Sequence, residues 1–229
     1  RDEKFAATAR MYGELLAGTP FEIIRIGDAR SLCEGYNRGI AQSRGDLLVF
    51  SHDDIEILSP DFNRKLRLHL AEHHLIGVAG TTRVIGRTWG EAGWPHLHGW
   101  VAHPDPDQAG YEICVFRVLS TVVENIQGVD GLFFAARRNV AEQIRFDAST
   151  FDGFHFYDLD FSYRAHLAGY RLAVCNDIMI AHHSRGNFDA RWEAYAQRFA
   201  EKHRATLPPP TPGQGFSPAV KFKSGEQIA

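Results

Sequence analysis

A cluster of polar side chains follows the most apolar stretch in the first quarter of the chain. Residues 47–50, LLVF, predict a buried strand, and His52, Asp53 and Asp54 come directly after it. Neighbouring carboxylates repel each other, and charged groups are costly to bury without partners. A divalent cation such as Mg²⁺ or Mn²⁺ would offset both costs, because carboxylate and imidazole groups bind such ions. Taken alone, the segment could equally be a polar turn before a helix.

Two further polar groups occupy comparable places. Asp158 and Asp160 open a predicted helix, and His182 and His183 end a predicted strand. Ligands of open α/β sheets bind outside the carboxyl ends of the strands, so we expect these groups to converge on one site. Each also has a purely structural explanation. The helix dipole favours acids in the first turn, Asp160 can pair with Arg164 four residues on, and strand-end histidines are often simply packed.

Apolar periodicity and turn residues predict strands that alternate with helices. Helices are predicted at 3–17, 31–43, 60–73, 156–170 and 189–204, and strands at 21–27, 47–50, 75–81, 111–124 and 171–183, with a strand entering a helix at 128–140. This alternation is typical of a mostly parallel sheet covered by helices on both faces.

The domain organisation follows from composition. We predict one α/β domain over residues 1–206 and a Pro/Gly-rich extended tail at 207–229. An α/β domain usually opens on a strand, whereas this sequence enters a helix pattern at once, so we expect the first strand to be missing. The segment 83–110, rich in Gly, Pro, Trp and His, predicts a long functional loop. Within it, Trp94 is either packed locally or available to stack on a sugar ring.

The bulk composition argues against several classes of protein. A net charge of −3 over 229 residues predicts no nucleic-acid-binding surface. No apolar run approaches the roughly 20 residues that cross a bilayer, and no secretory signal is visible. Cys33, Cys114 and Cys175 stand far apart without a CxxC pair. This spacing argues against a disulfide framework or zinc site and is typical of a reducing cytoplasm.

Four stretches in this order carry a family resemblance. GYNRGIAQSRGDLLVFSHDDIEI, VDGLFFAARRNV, FDGFHFYDLDFSYRAHLAGYRL and IAHHSRGNF together resemble the family 2 glycosyltransferases of the GT-A fold, and within them the streptomycin-biosynthesis-type domains. The resemblance implies a nucleotide-diphospho-sugar transferase fold, that is, a Rossmann-like three-layer α/β domain around a mostly parallel mixed sheet. It also implies a divalent metal cofactor, Mg²⁺ or Mn²⁺.

The resemblance further implies a metal-binding role for the residues that follow the LLVF strand. Asp54 falls on the second acid of the family's Asp-x-Asp motif, the usual metal ligand, while His52 replaces the first acid. His182 matches a strand-end histidine that can complete the metal site, and His183 is the alternate.

Catalytic and substrate-binding roles are implied in the same way. Asp158 takes the place of the family's catalytic base, and Tyr157 stands where the family has Glu. Asp28 falls where the family contacts the nucleoside, and Asp130 where the donor sugar or acceptor is held. Substrate contacts are thus predicted for Asp28, Asn37, Asp53, Trp94, Asp130 and Gly131.

The implied activity is inverting glycosyl transfer from a nucleotide-diphosphate sugar to a hydroxyl of a glycan or small-molecule acceptor. Two alternatives stay open. A nucleotidyltransferase or metal-dependent phosphohydrolase on a similar fold would release pyrophosphate or sugar phosphate. A degenerate domain would bind a sugar nucleotide or glycan without turnover, which the replacements at His52 and Tyr157 and the loss of the first strand would explain.

Overall fold

The computed structural model describes residues 2–105, 110–184, 186, 188–208 and 220–224. Within these ranges the helices are α1 (Asp2–Leu15), α2 (Leu32–Gln42), α3 (Phe62–Glu72), α4 (Arg138–Ile144), α5 (Tyr157–Leu167) and α6 (Ala190–His203). The strands are β1 (Leu47–Ser51), β2 (Ile55–Ile57), β3 (Leu75–Gly77), β4 (Ala79–Thr81), β5 (Leu97–Pro104), β6 (Tyr111–Arg117), β7 (Val122–Val123), β8 (Gly128–Val129), β9 (Phe133–Arg137), β10 (Leu172–Cys175), β11 (Ile180–His182) and β12 (Val220–Ser224). No helix in these ranges is long and apolar enough to cross a membrane.

The strands form two mixed sheets. In the first sheet the order is β1-β9-β3-β10-β7, and β3 pairs with β10 in parallel while the other pairs are antiparallel. Consequently β1, β3 and β10 run in one direction. The second sheet has the order β12-β6-β5-β11-β2, with β4 paired to both β5 and β8. The predicted α/β class with a mixed central sheet is confirmed.

Two apolar cores lie on opposite faces of the first sheet. Successive side chains of a strand point to opposite faces, and β9 shows this directly. Phe134 and Ala136 pack into a core shared with helices α2, α4, α5 and α6. Phe133 and Ala135 pack into a core shared with α1 and α3. The sheet is therefore the middle of three layers.

Three predicted strands are each divided in the structure, and the 111–124 segment becomes β6 in the second sheet and β7 in the first. The 75–81 segment becomes β3 in the first sheet and β4 in the second, with Val78 between them. The 171–183 segment likewise becomes β10 in the first sheet and β11 in the second. Because all three segments pass from one sheet to the other, their pairing partners change along their length. This division places the end of β11 beside β2.

The prediction of one long loop over 83–110 is wrong for much of its length. Residues Trp89–Ala92 form a 3-10 helix, and β5 lies at the centre of the second sheet, between β6 and β11. Leu97, Val101 and Ala102 are buried in β5. The sequence pattern does not predict β5, because Gly, Trp and His interrupt its apolar alternation. The strands that pair with it come from distant parts of the chain. Residues 106–109 lie outside the described part of the chain.

The predicted strand at 21–27 is also wrong, because the segment forms no ladder. A strand needs a hydrogen-bonding neighbour, and in the described part of the chain β1, the next strand along, pairs with β9 alone. Both the segment and β1 border a groove of about 1220 Å³. Whether a first strand is missing stays a prediction.

Part of the predicted tail contributes to the second sheet. Strand β12 pairs antiparallel with β6 over five residue pairs, from Val220 opposite Val115 to Ser224 opposite Tyr111. Residues 209–219 and 225–229 lie outside the described ranges. The boundary between residues 206 and 207 stays a prediction.

Candidate active site

His52, Asp54 and His182 form one cluster at the edge where β1, β2 and β11 meet. His52 follows β1 directly, and β2 pairs with β11 so that His182 lies opposite Ile55. His52 Nδ1 is 3.2 Å from His182 Nε2, and His182 Nε2 is 3.3 Å from Asp54 Oδ1. One ligand atom from each of the three residues lies within 4.8 Å of the other two. The structure thus brings together three of the four predicted metal ligands.

The electrostatics of this cluster suit a cation. Burial lowers the pKa of His182, and the nearby His52 ring lowers it further, so His182 is neutral at pH 7 and keeps a lone pair. Burial by itself would raise the pKa of Asp54. His182, His52 and Lys4, together with a hydrogen bond from Ser184, outweigh burial and hold that pKa below its usual range. Two imidazole nitrogens and one carboxylate oxygen therefore converge, which is a donor set that divalent transition ions accept.

Asp158 lies in the first turn of α5, at the start of the helix. The residue before the helix, Phe156, has a φ of 63°, which turns the chain sharply into α5. A Cβ at Gly131 would overlap the Tyr157 hydroxyl and would lie 2.7 Å from Asp158 Oδ2. The Tyr157 hydroxyl and the Asp158 carboxyl group therefore both lie on the side of Gly131 from which a side chain would project, and only glycine leaves room for them.

The Asp158 carboxyl group has an altered acidity. Burial raises its pKa to about 7, with the nearby Asp130 carboxylate adding to the effect. Backbone amides, including that of Gly131, act in the opposite direction but do not cancel the shift. Asp158 nonetheless keeps part of its surface exposed. A reachable carboxyl group with such a pKa can take up a proton efficiently at neutral pH.

Tyr157 connects this acid to the histidine cluster. Its hydroxyl is 2.9 Å from His52 Nε2 and 3.0 Å from the carbonyl oxygen of Gly131. The sequence marked Tyr157 only as a departure from the family's Glu, with no sign of a partner 105 residues away. Ser184 is a second residue of the site without an assigned role in the sequence, since its Oγ is 3.0 Å from His182 Nε2.

Several predicted substrate-binding residues have partners of their own. Asp28 is exposed and pairs with Arg38 at 2.8 Å. The Asn37 amide is engaged by the backbone of Phe146, donating to its carbonyl oxygen at 2.8 Å and accepting from its amide at 2.9 Å. The structure does not bring Asp28 or Asn37 into contact with the histidine cluster.

The other predicted residues are distributed around the site and beyond it. Asp53 is exposed and borders the 1220 Å³ groove together with His52 and Asp54. The His183 side chain is exposed, and its backbone amide donates to the carbonyl oxygen of Asp54 at 2.9 Å. Trp94 is 67% exposed, with its ring 5.5 Å from the Arg117 guanidinium. Its side chain is therefore available to a ligand, as a stacking role would require.

Asp160, two residues beyond Asp158, has a structural role. It is 1% exposed, and its carboxylate meets Arg164 at 2.8 Å, Lys202 at 2.6 Å and His203 at 2.8 Å. The pair with Arg164 expected from the four-residue spacing is present. Burial alone would raise the pKa of Asp160, but the His203 hydrogen bond and the two cations lower it. This network joins α5 to α6.

Asp160→Asn is therefore expected to destabilise the fold. Removing the buried carboxylate leaves the half-buried Arg164 and Lys202 cations uncompensated, which costs up to about 3–5 kcal/mol of unfolding free energy. Urea unfolding at pH 7 measures the loss. Asp152→Asn is the matched control, because it removes an exposed pair with Arg198 that also involves α6. Equal losses in the two variants would contradict the structural role of Asp160.

The chain belongs to a glycosyltransferase-like family, whose sequence pattern it matches over residues 4–203. This match confirms the predicted glycosyltransferase resemblance and supports a transferase activity of the glycosyltransferase type. The streptomycin-type subgroup stays a prediction.

Other comparisons add little to the family match. No curated protein matches the chain. The solved structure of A197 from STIV is similar at 13% identity and a TM-score of 0.43, covering 75% of this chain and 78% of that one. The solved structure of a mycobacterial protein is similar at 17% identity and a TM-score of 0.44, and the match covers 96% of this chain and 69% of the mycobacterial chain. Similarity at this level carries no functional argument.

Proposed function

We propose that this protein transfers a sugar from a nucleotide-diphosphate donor to an acceptor hydroxyl, with inversion at the anomeric carbon. The observation that carries the proposal is the placement of the Asp158 carboxyl group on the same side of Gly131 as the Tyr157 hydroxyl, which contacts the His52 ring. A group able to accept a proton thereby adjoins a group able to hold a cation. Inverting transfer with a metal-bound diphosphate needs both.

The His52–Asp54–His182 cluster is the proposed metal site. A divalent ion bound there would offset the negative charge that builds on the departing diphosphate. The donor set favours Mn²⁺ over Mg²⁺, because imidazole nitrogens are poor ligands for Mg²⁺. His183 is the less suitable alternate, since its side chain is exposed and outside the cluster.

Asp158 is the proposed general base. Its ionised carboxylate accepts the proton of the acceptor hydroxyl while that oxygen attacks the anomeric carbon. The bond from the anomeric carbon to the diphosphate oxygen breaks in the same displacement, and the electron pair leaves with the nucleoside diphosphate. Because attack and departure occur on opposite sides of the carbon, the configuration is inverted.

The donor is proposed to reach the metal site along the 1220 Å³ groove that His52, Asp53 and Asp54 border. Large concave sites are the usual location of small-molecule ligands. Substrate contacts by Asp28, Asn37, Trp94, Asp130 and Gly131 stay predictions. For Asn37 the contact would be indirect, because its side-chain amide is engaged by the Phe146 backbone.

Calorimetric titration with UDP, GDP and dTDP tests the proposal, each with Mn²⁺ and again with EDTA. We expect one nucleotide to bind, and to bind more tightly with Mn²⁺. Product analysis with the matching sugar nucleotide then separates the activities. Release of a nucleoside diphosphate supports transfer, whereas release of pyrophosphate or sugar phosphate indicates a nucleotidyltransferase or phosphohydrolase. Metal-independent binding without turnover would indicate a degenerate binding domain.

A further inference from the structure

The Tyr157 hydroxyl contacts the His52 ring, the Gly131 carbonyl group and the Tyr36 hydroxyl but has only one proton to donate. The carbonyl oxygen of Gly131, 3.0 Å away, can only accept a hydrogen bond. The hydroxyl proton must therefore point to Gly131. If it pointed elsewhere, two oxygen lone pairs would face each other at hydrogen-bonding distance without a proton between them.

The direction of the Tyr157 hydroxyl proton determines which nitrogen of the His52 ring carries a hydrogen. With its proton used, the Tyr157 oxygen can only accept from His52 Nε2, 2.9 Å away, so that nitrogen carries a hydrogen. The neutral ring then has its lone pair on Nδ1. Nδ1 is the atom that faces the rest of the cluster, 3.2 Å from His182 Nε2 and 3.9 Å from Asp54 Oδ1.

We propose that Tyr157 is a positioning residue that fixes the Nε2–H tautomer of His52 and so presents the Nδ1 lone pair to a divalent cation. The cation would be shared with Asp54 and His182. The opposite tautomer would place an N–H bond where the cation must lie. This inference rests on the metal part of the proposed function.

Packing holds the Tyr157 hydroxyl in place. The Tyr157 side chain is buried, and its ring lies 5.6 Å from the Tyr36 ring and 6.5 Å from the Phe146 ring. On the other side, the lack of a side chain at Gly131 lets the hydroxyl approach the backbone. The Gly131 backbone thus orients the Tyr157 hydroxyl, and the hydroxyl in turn orients the His52 ring. Metal-binding histidines generally have such a hydrogen-bonding partner on the nitrogen that does not bind the metal.

Mn²⁺ affinity measured by calorimetry tests the inference in Tyr157→Phe. Loss of an outer-sphere partner of this kind weakens metal binding by about 10- to 100-fold. The matched control is Tyr163→Phe, which removes the hydroxyl of a second buried tyrosine of α5, whose described partner is the carbonyl oxygen of Thr206. We expect the control to bind Mn²⁺ as the wild type does. Thermal unfolding checks that both variants are folded.

Nitrogen-15 NMR of the histidine side chains in the metal-free protein gives a second readout that needs no metal and no activity. We expect His52 to carry its proton on Nε2 in the wild type, and to lose this preference in Tyr157→Phe. A wild-type Nδ1–H tautomer, or equal Mn²⁺ affinities in wild type and Tyr157→Phe, would overturn the role of Tyr157. Absence of Mn²⁺ binding by the wild type would instead contradict the metal part of the proposed function, and the presentation of Nδ1 to a cation with it.

Discussion

Asp158→Asn is expected to reduce the rate of glycosyl transfer by about two to four orders of magnitude, the usual contribution of a general base. The amide is nearly the same size as the carboxyl group but cannot accept the acceptor's proton. Nucleotide and Mn²⁺ binding should persist, because the histidine cluster is unchanged. The measurement is kcat for nucleoside diphosphate release with saturating donor and acceptor. Asp61→Asn at the N-cap of α3, a half-buried acid paired with Lys65, is the control.

The pH profile adds to this test, because the pKa of Asp158 is about 7. The base works only when ionised, so the wild-type rate should fall as pH decreases through about 7. Asp130→Asn removes a charge that raises this pKa and should move the acidic limb to lower pH. Full activity in Asp158→Asn, or an acidic limb unmoved in Asp130→Asn, would count against Asp158 as the base.

Asp158→Asn is also expected to stabilise the folded protein at pH 8. A raised pKa means that the folded state binds the Asp158 proton more tightly than the unfolded state does. This contribution to the free energy of unfolding is complete below the unfolded-state pKa of 3.8. It is lost as pH rises through the folded-state pKa of about 7. At pH 8 the wild type holds an ionised, largely desolvated carboxylate, and Asn relieves a cost of about 1–3 kcal/mol. Urea unfolding at pH 5 and pH 8 should show a gain that is larger at pH 8.

Asp54→Asn is expected to weaken Mn²⁺ binding by about 100-fold or more, beyond the effect of losing an outer-sphere partner. The substitution keeps the shape of the side chain but removes the single negative charge among the three clustered ligands. His182→Ala should have a comparable effect, because it removes the nitrogen closest to the other two ligands. Calorimetric titration with Mn²⁺, alone and with the preferred nucleotide, measures both losses.

The adjacent histidine supplies a matched control for this experiment. His183→Ala removes an exposed ring next to His182 in sequence but outside the cluster, so Mn²⁺ affinity should stay at the wild-type value. A loss in His183→Ala equal to that in His182→Ala would place the ligand set differently from the structure. Undiminished transfer in EDTA would show that the cluster does not hold a metal needed for the reaction.

Local pattern was sufficient for much of the chain. The five predicted separate helices all occur, because apolar spacing, caps and breakers are properties of neighbouring residues. The same holds for the strand before His52 and for the helix that opens at Tyr157. Strand β5 and the segment 21–27 were predicted wrongly because a strand exists only where a partner strand is placed beside it. That partner comes from distant sequence.

His52, Asp54, Asp158 and His182 are ionisable or metal-binding in any fold, so their residue types are enough to identify them as candidates. What they do together depends on the distances between them. The pairing of β2 with β11 brings His182 to Asp54, across 128 positions of chain. The pKa of Asp158 depends on burial and on Asp130, which is remote in sequence. Hydrogen bonds and charge effects act over a few ångströms, and only folding sets such distances.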